Sequence, residues 1–266
     1  MLDTALHDHE FSHFRQMIHR IAGISMSPAK KALVAGRLAK RLKHHGLSSY
    51  GDYFQLISKR GEELQVAVDL LTTNETHFFR EQKHFDFLRQ QVLPAHRPGR
   101  PFRVWSAASS SGQEAYSLAM LLADRLGDIP WEVFGSDIST RVLDQARAAL
   151  YAMEQASEIP TAYLKTYCLK GVGAQAGQFT VNPGLRRRVR FQQINLNERL
   201  PEVGEFDAIL LRNVMIYFEP ATKQQVVARL VERLRPGGWF IVGHSESLNG
   251  LEHGLIAVKP SIYRKP

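Results

Sequence analysis

The segment Phe102-Arg-Val-Trp-Ser106 runs into the small-residue stretch Ala107-Ala-Ser-Ser-Ser-Gly112 and then into Gln113-Glu114, which opens an apolar-periodic helix. A buried strand, a loop with little side-chain bulk and a helix N-terminus form the unit on which doubly wound α/β folds hold nucleotides, because small residues let a ligand reach the backbone. A second apolar run, Trp131-Glu-Val-Phe-Gly-Ser136, ends in Asp137. That places an acid about 25 residues past the loop, where a carboxylate accepts hydrogen bonds from ribose hydroxyls. The chemistry these residues could do is therefore adenosine binding. The competing reading is a strand-turn-helix with no ligand.

Two absences narrow the ligand. The loop has neither the Gly-x-x-x-x-Gly-Lys-Ser/Thr of a phosphate cradle nor the three glycines of a dinucleotide fingerprint. It does carry Glu114, which would repel a pyrophosphate and attract an ammonium or sulfonium group. S-adenosylmethionine, a nucleoside with positive charge and no phosphate, fits.

The elements that must position these residues are legible from periodicity. Phe11, Phe14, Ile18 and Ile21 fall at helical spacing, and Ser27-Pro28 starts a second helix reaching His44. Further helices are expected at Ser49 to Lys59, Glu62 to Leu71 and Glu81 to Val92. Pro94, Pro98, Gly99 and Pro101 mark a break before the first strand. After Asp137 come a helix from Ser139 to Leu150 and some forty intervening residues. Within these, Gln178 to Val181 and Leu185 to Gln192, joined by Asn182-Pro-Gly184, read as an antiparallel hairpin preceded by the flexible Gly171-Val-Gly-Ala-Gln-Ala-Gly177. An extruded hairpin exposes an edge that can receive an extended peptide, or it can be purely decorative. Phe206 to Asn213, a helix over Ala221 to Leu234, Pro236 to Gly243 and two short terminal strands at Leu255 to Val258 and Ile262 to Arg264 complete a mainly parallel sheet with an antiparallel edge.

Composition limits the setting. The 266 residues carry a formal charge of +8 and one cysteine, Cys168, so no intrachain disulfide forms and a reducing cytoplasm is the expected location. No apolar run is long enough to span a bilayer, so membrane insertion is not expected. The eleven histidines do not fall into metal-ligand spacings, and His7, His9 and His13 lie in what reads as a frayed amino terminus, so no metal is expected. Between Arg15 and Arg60 ten Lys or Arg face a single acid, Asp52, a local net of +9. Lys30, Arg37, Lys40 and Arg41 cluster on the second helix. They are candidates for docking a polyanionic partner or are the solvated face of a helical bundle.

With these residues in place the chain resembles the bacterial chemotaxis receptor methyltransferases, the CheR family, over nearly its whole length. The resemblance is carried by Asn74-Glu-Thr-His-Phe-Phe-Arg80, Trp105-Ser-Ala-Ala-Ser-Ser-Ser-Gly-Gln-Glu114, Ser136-Asp-Ile-Ser139, Arg212-Asn-Val-Met-Ile-Tyr-Phe218 and Gly243-His-Ser-Glu-Ser247, in the family's order. Gln113 and Ala115 depart from the family's Gly-Glu-Glu-Pro-Tyr-Ser form. The resemblance implies an α/β fold: a Rossmann-like S-adenosylmethionine-dependent methyltransferase domain (101–266) with a small antiparallel β-subdomain inserted at about 152–192. An all-α N-terminal domain (1–75) and a linker with helix (76–100) precede it. It implies transfer of a methyl group to glutamate side chains of chemoreceptor cytoplasmic domains, with S-adenosylhomocysteine as product. Cofactor binding falls by resemblance to Asn74, Thr76, Arg80, Glu114, Asp137, Asn195, Leu196, Asn213 and Val214; for catalysis, Arg80 could orient the cofactor carboxylate or the substrate, and Tyr217 either lines the pocket near the methyl group or is a core aromatic at the end of a strand. Gly171, Gly173 and Gly177 lie in the segment corresponding to the family's β-subdomain, which in some members grips a receptor carboxyl-terminal peptide. A monomer without a nucleic-acid partner is expected. Two alternatives stay open, a methyltransferase acting on another substrate such as RNA and a cofactor-sensing adaptor that methylates nothing.

Overall fold

The computed structural model describes residues 5–96 and 99–266. The first four residues of the expected helical domain and Pro98 of the expected break lie outside them. Four helices open the chain: α1 (Asp8–Ala22), α2 (Lys31–His44), α3 (Tyr50–Lys59) and α4 (Gly61–Leu71). The segment from His7 to His13 is built into the domain rather than frayed. The His7 backbone N–H donates to Glu10 Oε2 at 2.8 Å, buried Glu10 also accepts from Gly51 N at 2.6 Å, and His13 packs on Phe54. Phe14, Ile18, Val34, Leu38, Tyr53 and Ile57 form the core of this domain.

Two arginines read from sequence as docking residues serve this core instead. The Arg41 guanidinium grips Glu63 on α4 through Nε at 2.8 Å and Nη2 at 2.5 Å, with Tyr53 Oη donating to the same carboxylate at 2.8 Å. Arg37 Nη1 donates to the carbonyls of Leu71 and Thr72 at 3.3 and 3.0 Å. Both partners are remote in sequence, so helical spacing alone did not reveal them. Lys30 and Lys40 are exposed as expected.

Burial raises the Glu63 pKa, but the hydrogen bonds from Arg41, Tyr53 and His45 outweigh it and leave the group lowered to about 2 from an ordinary 4.5. A depressed carboxylate stabilises the fold above its unfolded pKa and ceases to as the pH falls through the folded one. The helical domain is therefore expected to lose this contribution between about pH 4.5 and about pH 2. Arg41→Ala should cost about 1–2 kcal/mol at neutral pH, because Tyr53 and His45 remain. Acid titration followed by circular dichroism checks both. An unchanged acid midpoint in the variant would refute the pairing.

After α5 (Gln82–Phe87), which continues into a wider π-helical turn over Leu88–Val92, come β1 (Phe102–Ser106), α6 (Gln113–Leu126), β2 (Trp131–Asp137) and α7 (Thr140–Ala148). The insertion supplies β3 (Leu150–Ala152), α8 (Thr161–Tyr167), β4 (Cys168–Lys170), β5 (Gln178–Val181) and the short α9 (Pro183–Arg186). The chain then returns through β6 (Val189–Gln193), β7 (Phe206–Leu211), α10 (Pro220–Glu232), β8 (Leu234–Val242), β9 (Ile256–Lys259) and β10 (Ile262–Arg264).

The main sheet has the order β6-β2-β1-β7-β8-β10-β9, parallel through β8 and antiparallel at the last two strands. Alternate side chains bury on opposite faces. Val104, Ala208, Leu210 and Ile241 pack with α6, while Trp105, Ile209, Phe240 and Val242 pack with α10. The strand order reverses direction between β1 and β7, which opens a crevice at their carboxyl ends.

The expected hairpin is corrected here. Asn182-Pro-Gly184 starts a helical turn instead, with Asn182 Oδ1 accepting from Gly184 N at 2.8 Å and Pro183 at the first helical position. Val189–Gln193 then joins the main sheet parallel to β2, from Val133↔Val189 to Asp137↔Gln193. The small antiparallel sheet is β3-β5-β4, and its hairpin connection is the glycine-rich stretch 171–177. It occupies 150–181, so the later part of the expected insertion belongs to the main sheet.

Candidate active site

The loop after β1 is bent by two left-handed residues, Ser110 (φ 48°) and Gly112 (φ 95°). A Cβ on Gly112 would come within 2.9 Å of the Ala146 side chain, so glycine is required there both by its φ and by the close approach of α7. Backbone ties fix the loop across the sheet, with Ala107 N donating to Leu210 O and Ser109 N to Ser136 O.

Asp137 is buried at the tip of β2. Its Oδ2 accepts from Ser110 N at 2.9 Å and its Oδ1 from Ser139 N at 3.0 Å. Burial raises its pKa to about 6, against the pull of those N–H groups. Each oxygen keeps a free lone pair for a ligand hydroxyl.

Across the crevice lies a buried arginine whose role its motif does not reveal. Arg212 follows the apolar run of β7, and a guanidinium buried there requires anionic partners. Its Nη1 donates to Glu114 Oε2 at 2.7 Å, its Nη2 to Glu81 Oε2 at 3.0 Å and to the Arg80 carbonyl. Glu114 also accepts from Ser106 Oγ at 2.7 Å, and Glu81 Oε1 from Asn213 Nδ2 at 3.2 Å. Glu81 was likewise missed. Burial raises both carboxylates. For Glu81 the charge of Arg212 and the hydrogen bonds of Asn213 and His244 reverse this and leave it at about 2, whereas Glu114 stays raised. Glu114 was expected to face a cationic ligand by itself, yet here it shares Arg212 with Glu81. With both carboxylates ionised the trio carries one net negative charge.

The cleft walls come from both domains. Ala22, Ile24 and Thr72 from the helical part face Ala107, Ala108, Ile138, Ile194 and Phe218 from the sheet side. Asn74, Thr76, Arg80, Glu114, Asp137, Asn195, Leu196, Asn213, Val214 and Tyr217 all line it, so the structure gathers every residue placed there by sequence. Lys30, Lys40, Arg41 and the three glycines are not among the lining residues. The Asn195 amide is already engaged, donating to Ile21 O at 2.7 Å and Glu198 Oε1 at 2.9 Å, so its side chain tethers α1. Glu246, also unassigned from sequence, accepts from the backbone N–H of Asn213, Gly243 and Ile216, and so binds the ends of β7 and β8 together.

The domains are locked over this cleft. Asp69 on α4 caps the start of α7, accepting from Thr140 N, Thr140 Oγ1 and Arg141 N at 3.0, 2.8 and 3.1 Å. Ser25 N donates to Tyr217 O at 2.8 Å.

Comparison with protein families matches residues 9–72 to the CheR methyltransferase all-alpha domain and residues 74–263 to the CheR methyltransferase SAM binding domain. The chain belongs to the CheR methyltransferase family. It is 41% identical over 257 residues to chemotaxis protein methyltransferase 2 of Pseudomonas aeruginosa, covering 96% of this chain and 92% of that one. It is 40% identical over 264 residues to the chemotaxis protein methyltransferase of Escherichia coli, covering 97% and 91%. The cofactor of this CheR domain is S-adenosylmethionine, and the donor set suits it: buried Asp137 at the tip of β2 has carboxylate oxygens to offer hydroxyl groups, and the acids Glu75 and Glu114 are among the described residues lining the cleft that could face a sulfonium. Among the described residues no helix is long and apolar enough to cross a membrane.

Proposed function

We propose that this CheR-family methyltransferase methylates glutamate side chains of chemoreceptor cytoplasmic domains, forming glutamate methyl esters and S-adenosylhomocysteine. The observation that carries this reading is the make-up of the cleft: among the described residues no histidine, lysine or cysteine lines it, and its buried acids are already engaged, Asp137 by the N–H groups of Ser110 and Ser139 and Glu114 by Arg212 and Ser106. An amine or hydroxyl acceptor would need a base to take its proton. A glutamate, with a reference pKa of about 4.3, is already ionised at neutral pH and needs none.

When bound, the cofactor would supply an electrophilic methyl group, for which the carboxylate oxygen already carries a lone pair. No proton moves, so the chain's contribution is placement and exclusion of water, with reacting atoms held about 3–3.5 Å apart. Asp137 would hold the ribose. Arg80, whose Nη1 donates to the Glu75 carbonyl, and half-buried Tyr217 stand at the cleft to orient the acceptor. Asn74, Thr76, Leu196, Asn213 and Val214 would complete the cofactor contacts, as would the backbone at Asn195.

Exposed Lys30, Lys40 and Lys43 on and beside α2 would meet acidic receptor helices, in a cytoplasmic, monomeric enzyme. The free edge of β4 and the loop holding Gly171, Gly173 and Gly177 would offer a strand-addition surface for a receptor peptide. Reversing Lys40 and Lys43 to Glu should lower methylation about 3–10-fold at low salt, with the difference shrinking at high salt and cofactor affinity unchanged. An equal loss at all salt concentrations would argue against charge docking.

Incubation with S-adenosylmethionine and receptor cytoplasmic fragments, followed by mass spectrometry of peptides, tests the reaction. The expected result is a base-labile added methylene on glutamate. Label appearing on RNA and not on receptor would overturn the reading.

A further inference from the structure

Glu81 and His84 stand one helical turn apart at the start of α5, and His244 follows β8. The three residues bring one ligand atom each to within 4.8 Å of one another. His84 is only 2% exposed, and neither of its ring nitrogens makes a hydrogen bond. Its Nδ1 comes within 3.3 Å of Glu81 Oε2 without the alignment to donate, and its ring stands edge-on to His244 at 4.8 Å. A buried imidazole with two idle nitrogens is an unusual cost in a folded protein. A groove lined by His84 and His244, and also by Lys83 and Lys259, opens beside the cluster.

Two imidazoles and a carboxylate form the donor set of a zinc-class ion, with a fourth position left for water. Glu-x-x-His across one turn is a spacing that metal sites use. The third ligand lies 160 residues further on, which is why histidine spacing in the sequence pointed to no metal.

We propose that Glu81, His84 and His244 bind a divalent transition-metal ion, and that this ion competes with Arg212 for the Glu81 carboxylate. Glu81 also accepts from Asn213, and Arg212 and Asn213 both line the cofactor cleft. A metal ion that draws Glu81 toward the groove loosens both residues. Metal occupancy thus weakens cofactor binding, which makes the cluster an inhibitory site coupled to the cleft through one shared side chain.

The test is a titration of chelator-stripped full-length protein with zinc chloride against a chromogenic chelator, in a His9→Ala/His13→Ala/His19→Ala background that removes the imidazoles of α1. The expected result is uptake of one zinc per chain, weakened about tenfold or more by adding His244→Ala. His244 is exposed, so that variant should keep the wild-type melting curve. Calorimetry should show S-adenosylmethionine binding several-fold more weakly with zinc present, and no such change in the His244→Ala variant. No tight zinc uptake in the α1-substituted background, or uptake indifferent to His244→Ala, overturns the site. Cofactor affinity that ignores bound zinc overturns the competition.

Discussion

Arg212→Ala is expected to destabilise the protein by about 3–5 kcal/mol, read as a lower urea midpoint with an unchanged slope. The side chain is 1% exposed and is the cation shared by Glu81 and Glu114, so its removal leaves two carboxylates in the interior without their counter-charge. Glu114, already raised by burial, would then favour its protonated form, and the variant should regain part of its stability at acid pH. Arg212→Lys should recover only part of the loss, since a single ammonium cannot span both acids and the Arg80 carbonyl as the planar fork does. Equal stability of the Arg and Lys forms would show that charge alone matters there.

Asp137→Ala should weaken S-adenosylmethionine binding about 10- to 100-fold, the scale of one or two hydrogen bonds to a charged acceptor. Calorimetry checks it. Two features keep this distinct from unfolding. Burial raises the Asp137 pKa from 3.8 to about 6, so its ionised form is disfavoured in the ligand-free fold. For an acid with a raised folded pKa, the stabilising contribution is full below the unfolded value and is lost as the pH rises through the folded one. Removing the charge therefore relieves the fold at neutral pH, which offsets the lost hydrogen bonds to Ser110 and Ser139, and no stability loss should match the loss of affinity. In the wild type, cofactor affinity should fall as the pH drops below about 6, because the protonated carboxyl gives up an acceptor position. A flat pH profile with wild-type affinity in the variant would remove Asp137 from the site.

The parts of this molecule legible in its sequence are those governed by local rules. The strand, small-residue loop and helix around Ser106–Glu114, the acid ending β2, and the alternation of apolar runs with amphipathic helices follow from neighbours along the chain. They placed the cleft. What escaped depends on partners distant in sequence. Arg37 and Arg41 share a helix face with exposed lysines, and only the fold reveals that Leu71, Thr72 and Glu63 wait for them. Asn182-Pro-Gly184 is equally compatible with a hairpin and with a helix start. The edge of β2 decided between them by taking up Val189–Gln193. Arg212 carried an available signal, a cation closing an apolar run. Its partners Glu81 and Glu114 lie 131 and 98 residues away, beyond the reach of any spacing rule.

The ceiling of the cleft belongs to a different lobe from its floor, and Asp69, Ser25 and Asn195 rivet the two together. Methyl-donor capture is consequently not the property of the sheet lobe alone. A chimera that imports the helical lobe of a relative would also import half the chamber's lid. Its success would hang on whether the rivets came with it.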